Sequence, residues 1–236
     1  MNRFWDQATV VAEDDGTFSV RLDGRPVRLP SGAALRVASA VVAEAVAEEW
    51  NAVGGGAKGG AMRMEELPIT RLIGTAQERV APDPEPLIEG LARYAETDLL
   101  CYRAEETALA AQQAEKWQPV LDWLALQHDA PLRVTQGVMP VSQSPEALAA
   151  VRRAVAAHKA EELAALGLLV PALGSVALAL AVSAGELDAE EAHRRSILDE
   201  LFQERLWGLD EERAKRRAHV AEEVALAARF LGLLRA

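Results

Sequence analysis

Four histidines, one cysteine and a series of paired carboxylates are the side chains of this 236-residue chain with the greatest chemical potential. The histidines stand at 128, 158, 193 and 219, with no His-x-x-x-His pair and no cysteine at zinc-ligand spacing. Glu190-x-x-His193 has the spacing of a di-iron helix, but that site requires a second copy and two further Glu ligands, and the sequence holds no second copy. His193 therefore reads as a solvated helical histidine beside an acidic cap. Cys101 lies in Asp98-Leu99-Leu100-Cys101-Tyr102, among apolar neighbours, and reads as a buried, inert thiol. Gly54-Gly55-Gly56-Ala57-Lys58-Gly59-Gly60 resembles a phosphate loop only in composition, because Lys58 precedes a glycine and a helix precedes the loop. No Gly-x-Ser-x-Gly elbow and no Gly-x-Gly-x-x-Gly fingerprint occurs. The acidic pairs (Glu48-Glu49, Glu161-Glu162, Glu211-Glu212 and others) read as solvated helix faces. No catalytic residue, cofactor or metal is expected.

Composition narrows the class further. The formal charge of −11 argues against nucleic acid, and an apolar content of 50% is that of a folded chain. A single cysteine suits a reducing cytoplasm, and residues 1–7 contain no apolar run of the signal-peptide kind. The 23 uncharged residues from Leu163 to Gly185 are long enough to span a bilayer, but seven are Ala, three are Gly, and Pro171 interrupts them. Two buried helices, about 158–169 and 172–184, fit better, and no stable membrane insertion is expected.

The elements that would position any site fall into two groups. Phe18, Val20 and Leu22 alternate with polar residues, between turns at Asp15-Gly16 and Asp23-Gly24. With Val27 and Leu29 following, and Pro26 confining its strand to an edge, the first 37 residues form a small antiparallel meander. A helix over about 39–51 places Val42, Val46 and Trp50 on one face. Thr70 is placed to cap a helix reaching about Val80, and a further helix runs from Pro84 to Glu96. Residues 97–102 read as a short strand or extended link. Helices follow at about 107–128, 144–157, 188–207 and 210–234, with Asp188-x-x-Glu191 as a start and Gly208 as a stop. The expected class is α+β: a β-rich N-terminal domain with one helix over residues 1–65, then a larger α-helical domain over 66–236.

Five tryptophans outnumber the four phenylalanines and two tyrosines. Core packing is the default for each, although tryptophan also anchors interfaces. After Trp207-Gly208, three acids (Asp210, Glu211, Glu212) precede four bases (Arg213, Lys215, Arg216, Arg217). Acids suit a helix start, and i,i+4 pairs of Glu211 with Lys215 and Glu212 with Arg216 account for the bases. The same charges are also able to recognise a partner.

Several segments together resemble one family, the assembly chaperones that bind the free α-subunit of the F-type ATP synthase catalytic head. They are Arg3-Phe4-Trp5, Leu22 to Val27, Glu49-Trp50 and Leu67 to Leu72. Tyr94 to Arg103 is the most specific of them, followed by Gln113, Trp117, Pro119 and Trp123, and by Trp207-Gly208 with Glu211. The resemblance spans residue 3 to about 231 and is thinnest over 130–185, where spacing rather than wording matches. It implies a non-enzymatic chaperone that covers the β-facing surface of the α-subunit until the ring assembles. Mitochondrial members carry a transit peptide; this chain starts at the motif, which suggests a bacterial, cytoplasmic protein. Glu211 matches the family's acidic position after Trp-Gly and is the expected client-binding residue, flanked by Trp207 and Arg213. Trp50, Asp98 and Tyr102 match family positions and are expected to be structural. A monomer is expected, since no long heptad seam appears. The rival readings are a scaffold or adaptor with another protein client and, less favoured, a small-molecule enzyme built around His193 or Cys101.

Overall fold

The computed structural model describes residues 2–236, and the chain divides into two compact units. The first comprises residues up to Asp83 together with Arg229–Ala236. The second runs from Pro84 to Ala228. The α+β class is as expected: a small antiparallel sheet near the N-terminus and a larger helical part.

In the first unit, β1 (Ala8–Ala12) and β2 (Phe18–Leu22) pair antiparallel with Val10 opposite Val20. β3 (Arg25–Pro26) and β4 (Arg36–Val37) both pair with β2. Val20 and Leu22 are buried as their alternation requires. Ser19 is buried too, because its hydroxyl donates to the Glu13 carboxylate at 2.5 Å. Helix α1 (Ala40–Ala52) buries Val42, Val46 and Trp50.

The first unit extends past residue 65, where the sequence suggested a boundary, because α2 (Pro68–Thr75) is fastened to α1. Glu49 accepts from the backbone N–H of Ile69 (2.6 Å) and Thr70 (2.9 Å), and from the Thr70 hydroxyl at 2.9 Å. The expected cap at Thr70 is therefore supplied from outside the helix. Pro68 takes the first helical position, where its missing N–H leaves nothing unsatisfied, and Thr70 is already inside the first turn. Trp50 Nε1 donates to Thr70 Oγ1 at 3.1 Å, and Trp5 Nε1 donates to the Trp50 carbonyl at 3.0 Å.

The second unit begins with α3 (Glu85–Ala92) and a short β5 (Tyr102–Arg103). Helix α4 (Thr107–His128) is followed by β6 (Thr135–Gln136), which pairs parallel with β5. Then come α5 (Pro145–Ala156), α6 (Ala160–Leu173), α7 (Val176–Ala184), α8 (Ala189–Ser196), α9 (Leu198–Trp207) and α10 (Glu211–Arg235), whose residues from Arg229 onward belong to the first unit. Residues 97–102 are mainly a tight helical turn, Leu99–Cys101, rather than an extended link.

Two expected breaks move. The apolar stretch divides after Leu173, not at Pro171, because proline lies in the last turn of α6 and Gly174 adopts the left-handed conformation (φ 62°) that ends the helix. Ser175 then caps α7, accepting from the Leu178 N–H at 3.0 Å. The expected continuous helix 188–207 breaks at Ile197 (φ −105°, ψ 17°), where the Ser196 hydroxyl bonds back to the His193 carbonyl at 2.8 Å. Among the described residues, no helix is long and apolar enough to cross a membrane.

Candidate functional site

The three residues expected to bind a client lie where α9 ends and α10 begins. Gly208, with φ 91°, ends α9 in a conformation that a side chain would resist. Asp210 then caps α10: its Oδ1 accepts from the Glu212 N–H at 3.0 Å and the Arg213 N–H at 3.2 Å. Glu211 is thereby fixed as the first helical residue, exposed, at the positive end of the helix. Trp207 is 78% exposed, between Leu206 at 59% and Leu209 at 63%. Three large apolar side chains thus stand on the surface within four consecutive residues.

Trp207 and Arg213 line the same cavity of about 280 Å³, together with Glu200, Glu204, Asp210 and Arg217. Glu211 lies beside it and is not part of its wall. The ion pairs differ from those expected by spacing. Among the described residues, none joins Glu211 to Lys215 or Glu212 to Arg216. Instead Arg213 contacts Asp210 at 3.5 Å, and Arg217 is held by Glu204 and, at 3.6 Å, by Glu200. Leu206 and Leu209 were not singled out from sequence. The signal available was the uncharged run Leu206-Trp207-Gly208-Leu209 between two charged helices.

The other motif residues build the frame. Asp98 is fully buried, and Oδ1 accepts from the Leu100 N–H (3.0 Å) and the Ser175 hydroxyl (2.8 Å). Its Oδ2 accepts from the Ala177 N–H at 3.1 Å. Burial pushes the Asp98 carboxyl above the usual carboxylate range, against the pull of these donors. The Cys101 thiol, fully buried, is pushed up to about 12 by burial and then by the Asp98 charge, which leaves it inert as expected. Arg103 stacks over Trp117 at 5.3 Å and donates to the Leu100 carbonyl. Trp117 Nε1 reaches the Arg195 carbonyl at 2.9 Å, and Gln113 bridges the Ala104 N–H (2.7 Å) to Asp199 (2.7 Å). Contrary to the solvated reading, His193 is half-buried, and its Nε2 is buried with no hydrogen-bond partner among the described residues. Burial lowers its pKa from the ordinary histidine value. Among the described residues, no group of three His, Cys, Asp or Glu side chains is placed to hold a metal.

An exposed apolar cluster beside a charged helix start is surface chemistry suited to gripping another protein. Known proteins similar to this chain fall in one such class, the chaperones. The family described as "ATP12 chaperone protein" matches residues 2–125. The chain belongs to that family. It is 25% identical over 218 residues to the mitochondrial protein atp12 of Schizosaccharomyces pombe, covering 87% of this chain and 73% of the relative. Atp12 of Paracoccus denitrificans is 40% identical with a TM-score of 0.91, over 98% of this chain and 97% of that one. The Atu1473 protein of Agrobacterium tumefaciens is 35% identical with a TM-score of 0.90, over 99% of this chain and 86% of that one.

Proposed function

We propose that the protein is an assembly chaperone of the F-type ATP synthase that holds the free α-subunit and shields its β-facing surface until the ring forms. Membership of the ATP12 chaperone family supports the class of function. The single structural observation that carries the client-binding reading is the exposed Leu206-Trp207-Leu209 cluster at the junction of α9 and α10. An orphan subunit exposes apolar surface that aggregates unless covered. A 78% exposed tryptophan flanked by leucines offers matching apolar area, and the Glu211 carboxylate beside it offers a charge-assisted acceptor to an arginine or backbone amide of the client. The chaperone yields its client by mass action when the true partner binds the same face more tightly. The reading assigns no bond-making step to the protein, which acts in the cytoplasm of a bacterium as a monomer.

Glu211→Lys tests the reading. Glu211 is exposed and no ion pair holds it among the described residues, so the substitution leaves the thermal melt within a few degrees of wild type. Capture of co-expressed α-subunit falls at least tenfold. Undiminished co-purification with the folded variant counts against the role of Glu211. Recovery of a different dominant protein by the wild type replaces the α-subunit with another client.

A further inference from the structure

Arg213, Arg216 and Arg217 occupy one short stretch of α10 and line a second cavity, of about 470 Å³. The rest of its wall is largely apolar: Leu99, Pro171, Leu173, Ile197 and Val220. Glu200 is the only acid among its lining residues. The first cavity, at Trp207, shares Glu200, Arg213 and Arg217 with it, so the two are parts of one groove along the start of α10. Across the whole groove three guanidiniums meet three carboxylates (Glu200, Glu204 and Asp210), but in the second cavity the ratio is three to one, on a chain whose net charge is −11.

The arginines are unequally occupied. Arg217, 12% exposed, is committed to Glu204 and Glu200. Arg213 has one ion-pair contact, to Asp210 at 3.5 Å. Arg216 is exposed and, among the described residues, forms no ion pair or hydrogen bond. A guanidinium above apolar walls makes two demands. It favours a carboxylate, with which it forms a two-pronged hydrogen bond, and the walls favour aliphatic side chains beside that carboxylate. A free phosphate ion satisfies only the first demand and leaves Leu99, Ile197 and Val220 wet. A nucleic acid meets the field of a strongly acidic protein.

We propose that this groove takes an acidic, apolar segment of the client: a stretch with Asp or Glu adjacent to aliphatic side chains, its carboxylate on Arg216 and Arg213. The inference rests on the reading of the Trp207 face as the client side and extends it, because the shared wall makes one continuous contact from Trp207 to Val220. Arg217, held by its own acids, keeps the groove shaped when empty.

The experiment uses the full chain, overlapping peptides tiling the F-type α-subunit, and the variant Arg216→Glu. Arg216 is exposed and unpaired, so the variant keeps the wild-type circular dichroism and melting temperature. Wild type binds peptides that combine Asp or Glu with aliphatic residues, more weakly as salt rises. Arg216→Glu loses about tenfold or more in affinity for them, the scale expected when a desolvated charge contact is reversed. Replacing their acids with Lys abolishes binding to wild type and restores binding to Arg216→Glu. Equal binding of acidic and Lys-substituted peptides by wild type overturns the proposal, as does an Arg216→Glu variant that binds the acidic peptides undiminished. Binding of heparin or phosphate without any acidic peptide overturns it too, making the groove a polyanion site. The two readings separate cleanly. If the α-subunit co-purifies but no acidic peptide binds, the groove proposal falls and the client stands. If acidic peptides bind but the α-subunit does not co-purify, the client falls and the groove stands.

Discussion

Replacing Trp207 with alanine removes the largest exposed apolar side chain of the candidate site while leaving the fold almost untouched. A tryptophan covers about 150–250 Å² when fully buried. With 78% of Trp207 exposed, client contact has about 120–200 Å² of this side chain left to cover. At about 25 cal/mol per Å², that is about 3–5 kcal/mol of gross stabilisation. Immobilisation and imperfect fit reduce the yield, and anchor tryptophans lose about 2 kcal/mol or more on truncation. The dissociation constant for the α-subunit should therefore rise about 30-fold. Stability should change by less than about 0.5 kcal/mol, because the side chain is on the surface. The assay is quantitative co-purification of co-expressed α-subunit across a dilution series, beside a thermal melt of each chaperone. A variant that melts like wild type and holds its client within threefold of wild-type affinity refutes the anchor role. A variant that loses many degrees of melting temperature refutes the description of Trp207 as exposed.

Two further outcomes concern the frame. Asp98→Asn sets an amide N–H₂ against buried donors (Leu100 N–H, Ser175 hydroxyl or Ala177 N–H) whichever way it turns, and should cost about 1–3 kcal/mol, read by chemical unfolding followed by circular dichroism. Because burial raises the folded pKa of Asp98 above its unfolded value of 3.8, the native state holds the extra proton between those values. Its contribution is then fully present below 3.8 and declines as pH rises through that window, so the wild type's margin over Asp98→Asn should narrow as pH climbs above 3.8; a margin that widens contradicts the assignment. Cys101, with its thiol pushed up to about 12, should resist iodoacetamide at pH 8 in the native protein and react in guanidinium; native labelling at the rate of a free thiol contradicts its burial.

The sequence was most legible where one physical rule acted alone. Val42, Val46 and Trp50 bury the face their spacing predicts, and Asp188 caps its helix by accepting from the Glu191 N–H at 2.7 Å. Gly208 ends α9 as its type suggests. Legibility failed where a distant side chain took over a local task. Glu49, 20 residues away from Ile69, caps α2, so the signal at Thr70 misled. Glu200 and Glu204 hold Arg217 in place of helix-spaced partners, which spacing along α10 alone does not reveal. The candidate site shows the same division. Glu211, Trp207 and Arg213 are legible only through the family resemblance, and they lie at one helix junction. The groove beside them depends on Leu99, Pro171 and Ile197, which three separate parts of the chain contribute. No local pattern links those positions, so only the folded chain displays the groove.

The composition of the first unit has a consequence for biosynthesis. Its sheet and α1 are translated early, but Arg229–Ala236 belong to the same unit, with Phe230 and Leu231 buried and Arg229 at 3.9 Å from Glu48. Those residues leave the ribosome only after everything from Pro84 to Ala228 has been made, an interval of about 8–30 s at about 5–20 residues per second. The unit begun first is thus finished last, and the helical unit has all its residues before the first unit has its full complement. A chaperone of this family is, for those seconds, itself an incomplete chain.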